Sequence, residues 1–146
     1  SNKKIINDLK KIKSHIYEDG LDLILEKYIR NNKFQPVSKL PNDIKTFIIT
    51  VGTPIIKKKN QNTPDLKHIK NVTKSLSKLI KKNTLLVYRS TLPLGSSRNL
   101  IYKLLKNHSN YKNKFYLGFA PERTAEGNAL KELSELPQIV SGIDQR

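Results

Sequence analysis

The sequence predicts an α/β fold in which parallel strands alternate with helices. Three short apolar runs, each rich in β-branched or aromatic residues, lie at 46–51, 84–88 and 115–119, and this composition is typical of strands. The stretches between them carry apolar residues at every third or fourth position, as a helix packed on a sheet does. This alternation favours right-handed crossovers between parallel strands.

Composition excludes several classes of function. The chain has 146 residues, a length that suits one domain. It contains no cysteine, which excludes a disulfide framework, a thiolate metal site and a cysteine nucleophile within these residues. Its histidines are isolated from one another: His15, His68 and His108. No run reaches the ~18 apolar residues that a membrane helix needs, so we expect no membrane segment.

The charge is strongly positive, with 28 Lys and Arg against 12 Asp and Glu and a formal net charge of +16. Clustered cations bind nucleic acid by releasing counterions. Here only five of the 28 are arginine, which is the better reader of phosphates and bases. Lysine is spread along the chain, and its densest run, at 57–59, is predicted to be a solvated loop. The pattern favours a solvated basic surface over a nucleic-acid groove.

The N-terminal part is predicted to be helical. A stripe of apolar residues predicts a first helix over 3–16, which Gly20 would separate from a second helix over 21–29. The proline-containing stretch at 34–38 is expected to form no more than an edge strand.

The middle of the chain predicts buried strands and a well-marked helix. Continuous apolar runs such as 46–51 and 84–88 are typical of strands buried on both faces of a parallel sheet. Thr63, Pro64 and Asp65 predict a helix start, as N-cap, first helical residue and first-turn acid. One face of that helix would be formed by Leu66, Ile69, Val72, Leu76, Leu79 and Ile80. A further helix is expected at 100–105.

All three predicted strands end in segments of small or hydroxylated residues with a proline, at 51–54, 89–93 and 120–127. Ligands of open α/β sheets bind beyond the carboxyl ends of the strands. Gly52 would let a ligand approach the backbone closely. Each segment alone is compatible with an ordinary βα turn, but three in succession favour a ligand site. A glycine-rich GxGxxG loop is absent from the sequence.

Four segments, in order, resemble the UDP-glucose/GDP-mannose dehydrogenase family: TFIITVGTP, the helix start PDL, LLVYRSTLPLG, and FYLGFAPERTAEGNALKELSELPQIVSG. The last run is most similar to UDP-N-acetylhexosamine 6-dehydrogenases. The resemblance implies an incomplete Rossmann-like parallel sheet with flanking helices and with the first two strands missing. Residues 1–146 would then be the C-terminal part of an N-terminal NAD-binding domain, without the family's central helix and UDP-binding domain.

The resemblance also implies NAD as cofactor and a set of site residues. The implied cofactor-binding positions are Val51, Gly52, Thr53, Pro54, Ser90, Thr91 and Glu126. Glu122 matches the glutamate that supports acid/base chemistry in the family, which makes it the catalytic candidate. Arg123 and Thr124 match positions that touch the nucleotide sugar, so the implied substrate is a UDP-sugar. No metal site is implied.

The implied activity is a cytoplasmic step of polysaccharide biosynthesis, carried out by a homodimer when full length. In it, the C6 alcohol of a UDP-N-acetylhexosamine is oxidised to the uronate with two NAD⁺. The family's cysteine nucleophile is missing, so the chain alone is expected to be inactive. Two alternatives remain open, a non-catalytic Rossmann-type nucleotide-binding module and a basic nucleic-acid-binding domain. The affinity of the latter for nucleic acid would fall steeply with salt.

Overall fold

The computed structural model describes residues 2–58, 61–110 and 114–143. Internal contacts divide the chain into two compact units. The sheet unit comprises Asn42–Glu122 and Gln138–Arg146, and the helical unit comprises Ser1–Pro41 and Arg123–Pro137.

The sheet unit is built on a four-stranded, mostly parallel sheet. The strands are β1 (Thr46–Ile49), β2 (Ile55–Lys58), β3 (Gln61–Pro64), β4 (Leu85–Tyr88), β5 (Tyr116–Phe119) and β6 (Ser141–Gly142). The main sheet has the order β1-β4-β5-β6, in which β1, β4 and β5 run parallel and β6 runs antiparallel to β5. The predicted parallel α/β fold is therefore confirmed, with β6 as an edge strand that the sequence analysis did not predict.

The helices are shorter than the periodic sequence patterns that predict them. They are α1 (Lys3–Lys10), α2 (Leu21–Arg30), α3 (Lys67–Ser77), α4 (Lys103–His108) and α5 (Ala129–Glu135), with a π-helical turn (Ser97–Tyr102) running directly into α4. The helix predicted at 100–105 thus spans the junction of the π-helical turn and α4. Among the described helices, none combines the length and the apolarity that crossing a bilayer requires.

The core of the sheet unit lies where alternate strand residues meet one face of α3, the π-helical turn and α4. Residues two apart on a strand point to the same side of a sheet, and such pairs recur on all three parallel strands. The core members are Phe47, Ile49, Ile69, Leu76, Ile80, Leu86, Tyr88, Ile101, Leu105, Phe115 and Leu117. Six of them come from the strand runs, so the sheet anchors the core.

One polar contact crosses this core. The Tyr88 hydroxyl lies 2.8 Å from Thr73 Oγ1 on α3, and that Thr73 hydroxyl in turn donates to the Ile69 carbonyl at 2.7 Å. Burial raises the pKa of Tyr88 to about 12, an effect that the hydrogen bond to Thr73 partly offsets. The phenol therefore stays protonated and links β4 to α3.

The expectation that the strands are buried on both faces is wrong. On β1, Phe47 and Ile49 are buried, whereas Thr46 is exposed and the Ile48 side chain between them is 64% exposed. On β4, Leu85 is likewise only half-buried. The core helices pack on one face of the sheet, so only alternate residues of each apolar run enter the core.

The segment after β1 also differs from its prediction. β2 and β3 form an antiparallel hairpin with Ile55 opposite Pro64, so Lys57 and Lys58 lie in a strand rather than in a loop, and Lys59 lies outside the described residues. The predicted helix start is wrong, because Thr63 and Pro64 belong to β3. Helix α3 begins at Lys67, whose backbone N–H is accepted by the Asp65 carboxylate at 2.8 Å. Strand pairing overrides the local capping signal.

In the helical unit, two boundaries depend on left-handed backbone. Helix α1 ends at Lys10, short of the predicted 3–16, and Ile12 then has φ 59°. Gly20, with φ 76°, precedes α2 as the sequence predicts. The stretch 34–38 forms no strand, so the expectation of an edge strand there is wrong.

Candidate functional site

Two hydroxyl groups join the segments that follow β1 and β4. Ser90 Oγ donates to the Val51 carbonyl at 2.7 Å, and Thr53 Oγ1 donates to the Thr91 carbonyl at 2.8 Å. We call this reciprocal pair of hydrogen bonds the hydroxyl clasp. It forms because β1 and β4 are parallel neighbours whose carboxyl ends meet at one edge of the sheet. The structure thus brings together the predicted segments 51–54 and 89–93.

The clasp leaves part of this edge open to a ligand. Ser90 is only 7% exposed, so its hydroxyl acts inside the protein. Thr91 and Pro54 are exposed. Gly52 is also exposed, and a Cβ built on it would meet nothing within 4 Å. A ligand can therefore approach the Gly52 backbone and the Thr91 side chain while the clasp holds the two turns together.

The third strand end contributes Glu122. Its backbone N–H donates to the Arg89 carbonyl at 2.9 Å, just beyond the last paired residues of β4 and β5. The Arg89 guanidinium forms an ion pair with the Glu122 carboxylate and also donates to Gln138 Oε1 at 3.3 Å. Sequence analysis assigned Arg89 and Gln138 no role. The only available signal for Arg89 was its place directly before Ser90 at a strand end.

The remaining predicted residues belong to the helical unit. Arg123 donates a hydrogen bond to the Pro137 carbonyl, Thr124 is half-buried, and Glu126 is exposed. The turn that follows is held by Glu18, whose two carboxylate oxygens accept the backbone N–H groups of Gly127 at 2.8 Å and Leu130 at 3.3 Å. The segment 120–127 is therefore divided, with Glu122 in the sheet unit and Arg123 onward in the helical unit.

A cleft of about 620 Å³ adjoins the clasped segments. It is lined on one side by Leu92 and Pro93, and on the other by Phe119 and Ser141 at the β5–β6 edge. The sequence analysis did not predict this cleft, because the β6 side of it was not foreseen. Across the described ranges there is no group of three or more His, Cys, Asp or Glu side chains arranged to hold a metal ion.

The whole chain, residues 1–146, matches the sequence model of the UDP-glucose/GDP-mannose dehydrogenase family, NAD binding domain. The chain belongs to this family. The match confirms the resemblance found in the sequence and identifies NAD as the cofactor of this kind of domain.

Three relatives illustrate the similarity. Over 99% of its length the chain is 29% identical to UDP-N-acetyl-D-mannosamine dehydrogenase of Campylobacter jejuni, of which it covers 37%. Over 90% of its length it is 32% identical to UDP-glucose 6-dehydrogenase of Rickettsia prowazekii, of which it covers 29%. The solved structure of UDP-D-ManNAc dehydrogenase from Pyrococcus horikoshii superposes with a TM-score of 0.88 at 25% identity, over 97% of this chain and 34% of that one. The chain thus spans about a third of the length of these relatives.

The open edge of this family domain fits the dinucleotide. An exposed glycine backbone and a neighbouring exposed hydroxyl, at Gly52 and Thr91, suit a ligand rich in phosphate and ribose oxygens. The individual cofactor contacts assigned from the sequence remain predictions, as do the roles of Glu122, Arg123 and Thr124.

Proposed function

We propose that this chain is the NAD-binding part of a UDP-N-acetylhexosamine 6-dehydrogenase, which oxidises the C6 alcohol of the sugar to a carboxylate with two NAD⁺. In this proposal residues 1–146 form the C-terminal part of an N-terminal Rossmann domain. The cysteine nucleophile and the UDP-binding domain come from outside this sequence. The enzyme works in the cytoplasm as a homodimer.

The observation that carries this proposal is the meeting of three strand ends in the sheet unit. The hydroxyl clasp, in which Thr53 and Ser90 each donate to a carbonyl of the other's segment, fixes two turns, and the Glu122 N–H is bonded to the Arg89 carbonyl at the same edge. Binding residues and a carboxylate on rigid strand ends can hold reactants in a reactive geometry, which supplies a large part of enzymatic rate enhancement.

Each part of this edge has a chemical task in the proposed reaction. Bound NAD⁺ supplies the hydride acceptor. Gly52 and Thr91 bind and orient the dinucleotide, and the clasp keeps their turns in register. A carboxylate accepts several hydrogen bonds at once, so Glu122 can pair with Arg89 and still take part in proton transfer. Arg123 and Thr124 contact the UDP-sugar.

The choice of sugar rests on similarity. The C-terminal run with GNAL and PQIV resembles the N-acetylhexosamine branch, and the C. jejuni and P. horikoshii relatives carry N-acetylmannosamine in their names. Because the R. prowazekii relative is named for UDP-glucose, the sugar must be tested directly.

The test uses the protein that contains this chain at its full length. NADH formation is measured with UDP-N-acetylmannosamine, UDP-N-acetylglucosamine and UDP-glucose. We expect two NADH per N-acetylhexosamine consumed and the highest kcat/KM on one of those two sugars. Glu122→Gln should lower kcat by about a hundredfold or more, whereas Glu135→Gln, at an exposed position of α5, should not. Absence of NADH with every UDP-sugar would refute the proposal, and preference for UDP-glucose would refute its choice of sugar.

A further inference from the structure

Arg89 and Glu122 are joined twice, once through the backbone and once through the side chains. The Glu122 N–H donates to the Arg89 carbonyl at 2.9 Å, and the guanidinium of Arg89 pairs with the Glu122 carboxylate. We infer that Arg89 is a positioning residue that orients the Glu122 carboxylate for the reaction. This inference rests on the proposed function.

The backbone from which the Arg89 side chain extends is fixed by hydrogen bonds. The Arg89 backbone N–H donates to the Ile49 carbonyl of β1 at 2.8 Å. The next residue, Ser90, is buried and donates through its hydroxyl to Val51 at 2.7 Å. Arg89 therefore extends from backbone that is bonded to β1 on one side and to Glu122 on the other. A side chain that starts from fixed backbone can impose a direction on its partner.

The far end of the side chain is held as well. The same Nη2 nitrogen that pairs with Glu122 Oε2 lies 3.3 Å from Gln138 Oε1. An arginine Nη group carries two hydrogens, so it can donate to both partners at once. The planar guanidinium then has two contacts at its tip, and rotation about its last bonds is restricted. Lysine has no such planar fork.

Partial burial distinguishes this pair from an ordinary surface ion pair. The Arg89 and Glu122 side chains are 20% and 36% exposed, whereas those of Arg30 and Glu26 on α2 are 68% and 43% exposed. Exposed pairs are mobile and screened by water. A half-buried pair loses less to screening and keeps one geometry, which is the property that positioning requires.

The test is steady-state kinetics of the full-length protein that carries this chain, with NAD⁺ and its best UDP-sugar. Arg89→Gln should lower kcat about tenfold to hundredfold, because small misplacements of a reacting group have effects of this size. The KM for NAD⁺ should stay within about twofold, since no cofactor contact is removed. Arg89→Lys, which keeps the charge, should recover part of the loss.

A double-mutant cycle separates positioning from a general loss of structure. With Glu122→Gln already present, Arg89→Gln should produce little further loss of kcat, because its target is gone. Arg30→Gln removes the exposed pair of the helical unit and is the matched control, which should leave kcat unchanged. If Arg89→Gln proves unstable, Gln138→Ala removes only the contact at the tip and should lower kcat by a smaller factor.

The outcomes distinguish the two claims. A wild-type protein without activity on any UDP-sugar overturns the proposed function and this inference with it. An active wild type in which Arg89→Gln keeps its kcat, or changes only the KM for NAD⁺, overturns this inference alone. Additive losses in the double mutant overturn it as well.

Discussion

The sheet unit and the helical unit differ in how much apolar surface they bury. Among the described residues, every buried apolar side chain but one belongs to the sheet unit, and the exception is Leu25 on α2. Helices α1 and α5 bury no residue fully, while Tyr17 and Leu23 of the helical unit are 84% and 74% exposed. Both units have amphipathic helices, so helical periodicity alone does not produce a core. In this chain the core forms where helices pack on the sheet.

The same division separates neighbouring functional candidates. Glu122 lies three residues after β5 and donates its backbone N–H to the Arg89 carbonyl of the well-packed unit, whereas Arg123, the next residue, belongs to the helical unit. Groups whose backbone is bonded to a rigid element are held more precisely than groups on unsupported loops. The proposed catalytic carboxylate is thus on rigid backbone, whereas the proposed sugar contacts lie on a segment with fewer buried neighbours.

The largest expected effect tests this contrast directly. Leu86 on β4 is fully buried, and Leu86→Ala should destabilise the protein by about 2–5 kcal/mol through lost burial and a residual cavity. Leu23→Ala, the same change at a 74% exposed site of α2, should cost no more than about 0.5 kcal/mol. Urea unfolding of both variants measures the difference. Similar losses at the two sites would show that the helical unit buries Leu23 in solution.

An intermediate effect should appear in alkali. The pKa of Tyr88 is raised from 10.0 to about 12 by burial. Below the unfolded value both states keep the phenol proton; as the pH rises towards 12, the unfolded state loses it first, so stability falls. The loss amounts to roughly 3 kcal/mol and is complete above the folded pKa.

The melting temperature of the wild type should fall as the pH rises from 10 to 12. The Tyr88→Phe variant should lack the part of this decline that is due to ionisation of the phenol. Tyr116→Phe, which changes a 38% exposed tyrosine of β5, is the control and should follow the wild type. If Tyr88→Phe declined as steeply as the wild type, the phenol would not be the group responsible.

The smallest effect concerns single hydroxyl groups in the two units. Ser90→Ala removes the buried half of the hydroxyl clasp and leaves the Val51 carbonyl without that donor, which should cost about 1 kcal/mol. Ser134 of α5 donates to the Lys131 carbonyl one helical turn away and is exposed, so Ser134→Ala should be nearly neutral. Denaturant unfolding of the Ser90→Ala and Ser134→Ala variants measures both losses of stability. An equal loss for the two would contradict the difference expected between the units.

The elements that the sequence predicted correctly are those whose pattern is local. The apolar runs at 46–51, 84–88 and 115–119 each contain one of the parallel strands, because β-branched and aromatic residues favour extended backbone. Gly20 marks a helix boundary because its φ of 76° suits glycine. The motif resemblance likewise identified the family, since it depends only on residue identity and order.

The errors occur where contacts with another element decide the outcome. Thr63 and Pro64 carry a good helix-start signal, yet they pair with β2 in a hairpin. Ile48 belongs to a fully apolar run, yet it is largely exposed, because packing on one face of the sheet selects alternate residues. Neither the hairpin partner nor the packed face is encoded in the few residues around these positions.

The sequence by itself determined the fold class, the family and the strand ends that make up the proposed site. Only the tertiary structure decided how those ends are connected. Ser90 and Val51 are 39 positions apart in the sequence, and Arg89 and Glu122 are 33 positions apart. No local sequence pattern can therefore predict either contact. They form because parallel neighbours in a sheet bring their carboxyl ends to one edge, where backbone register places each side chain beside its partner.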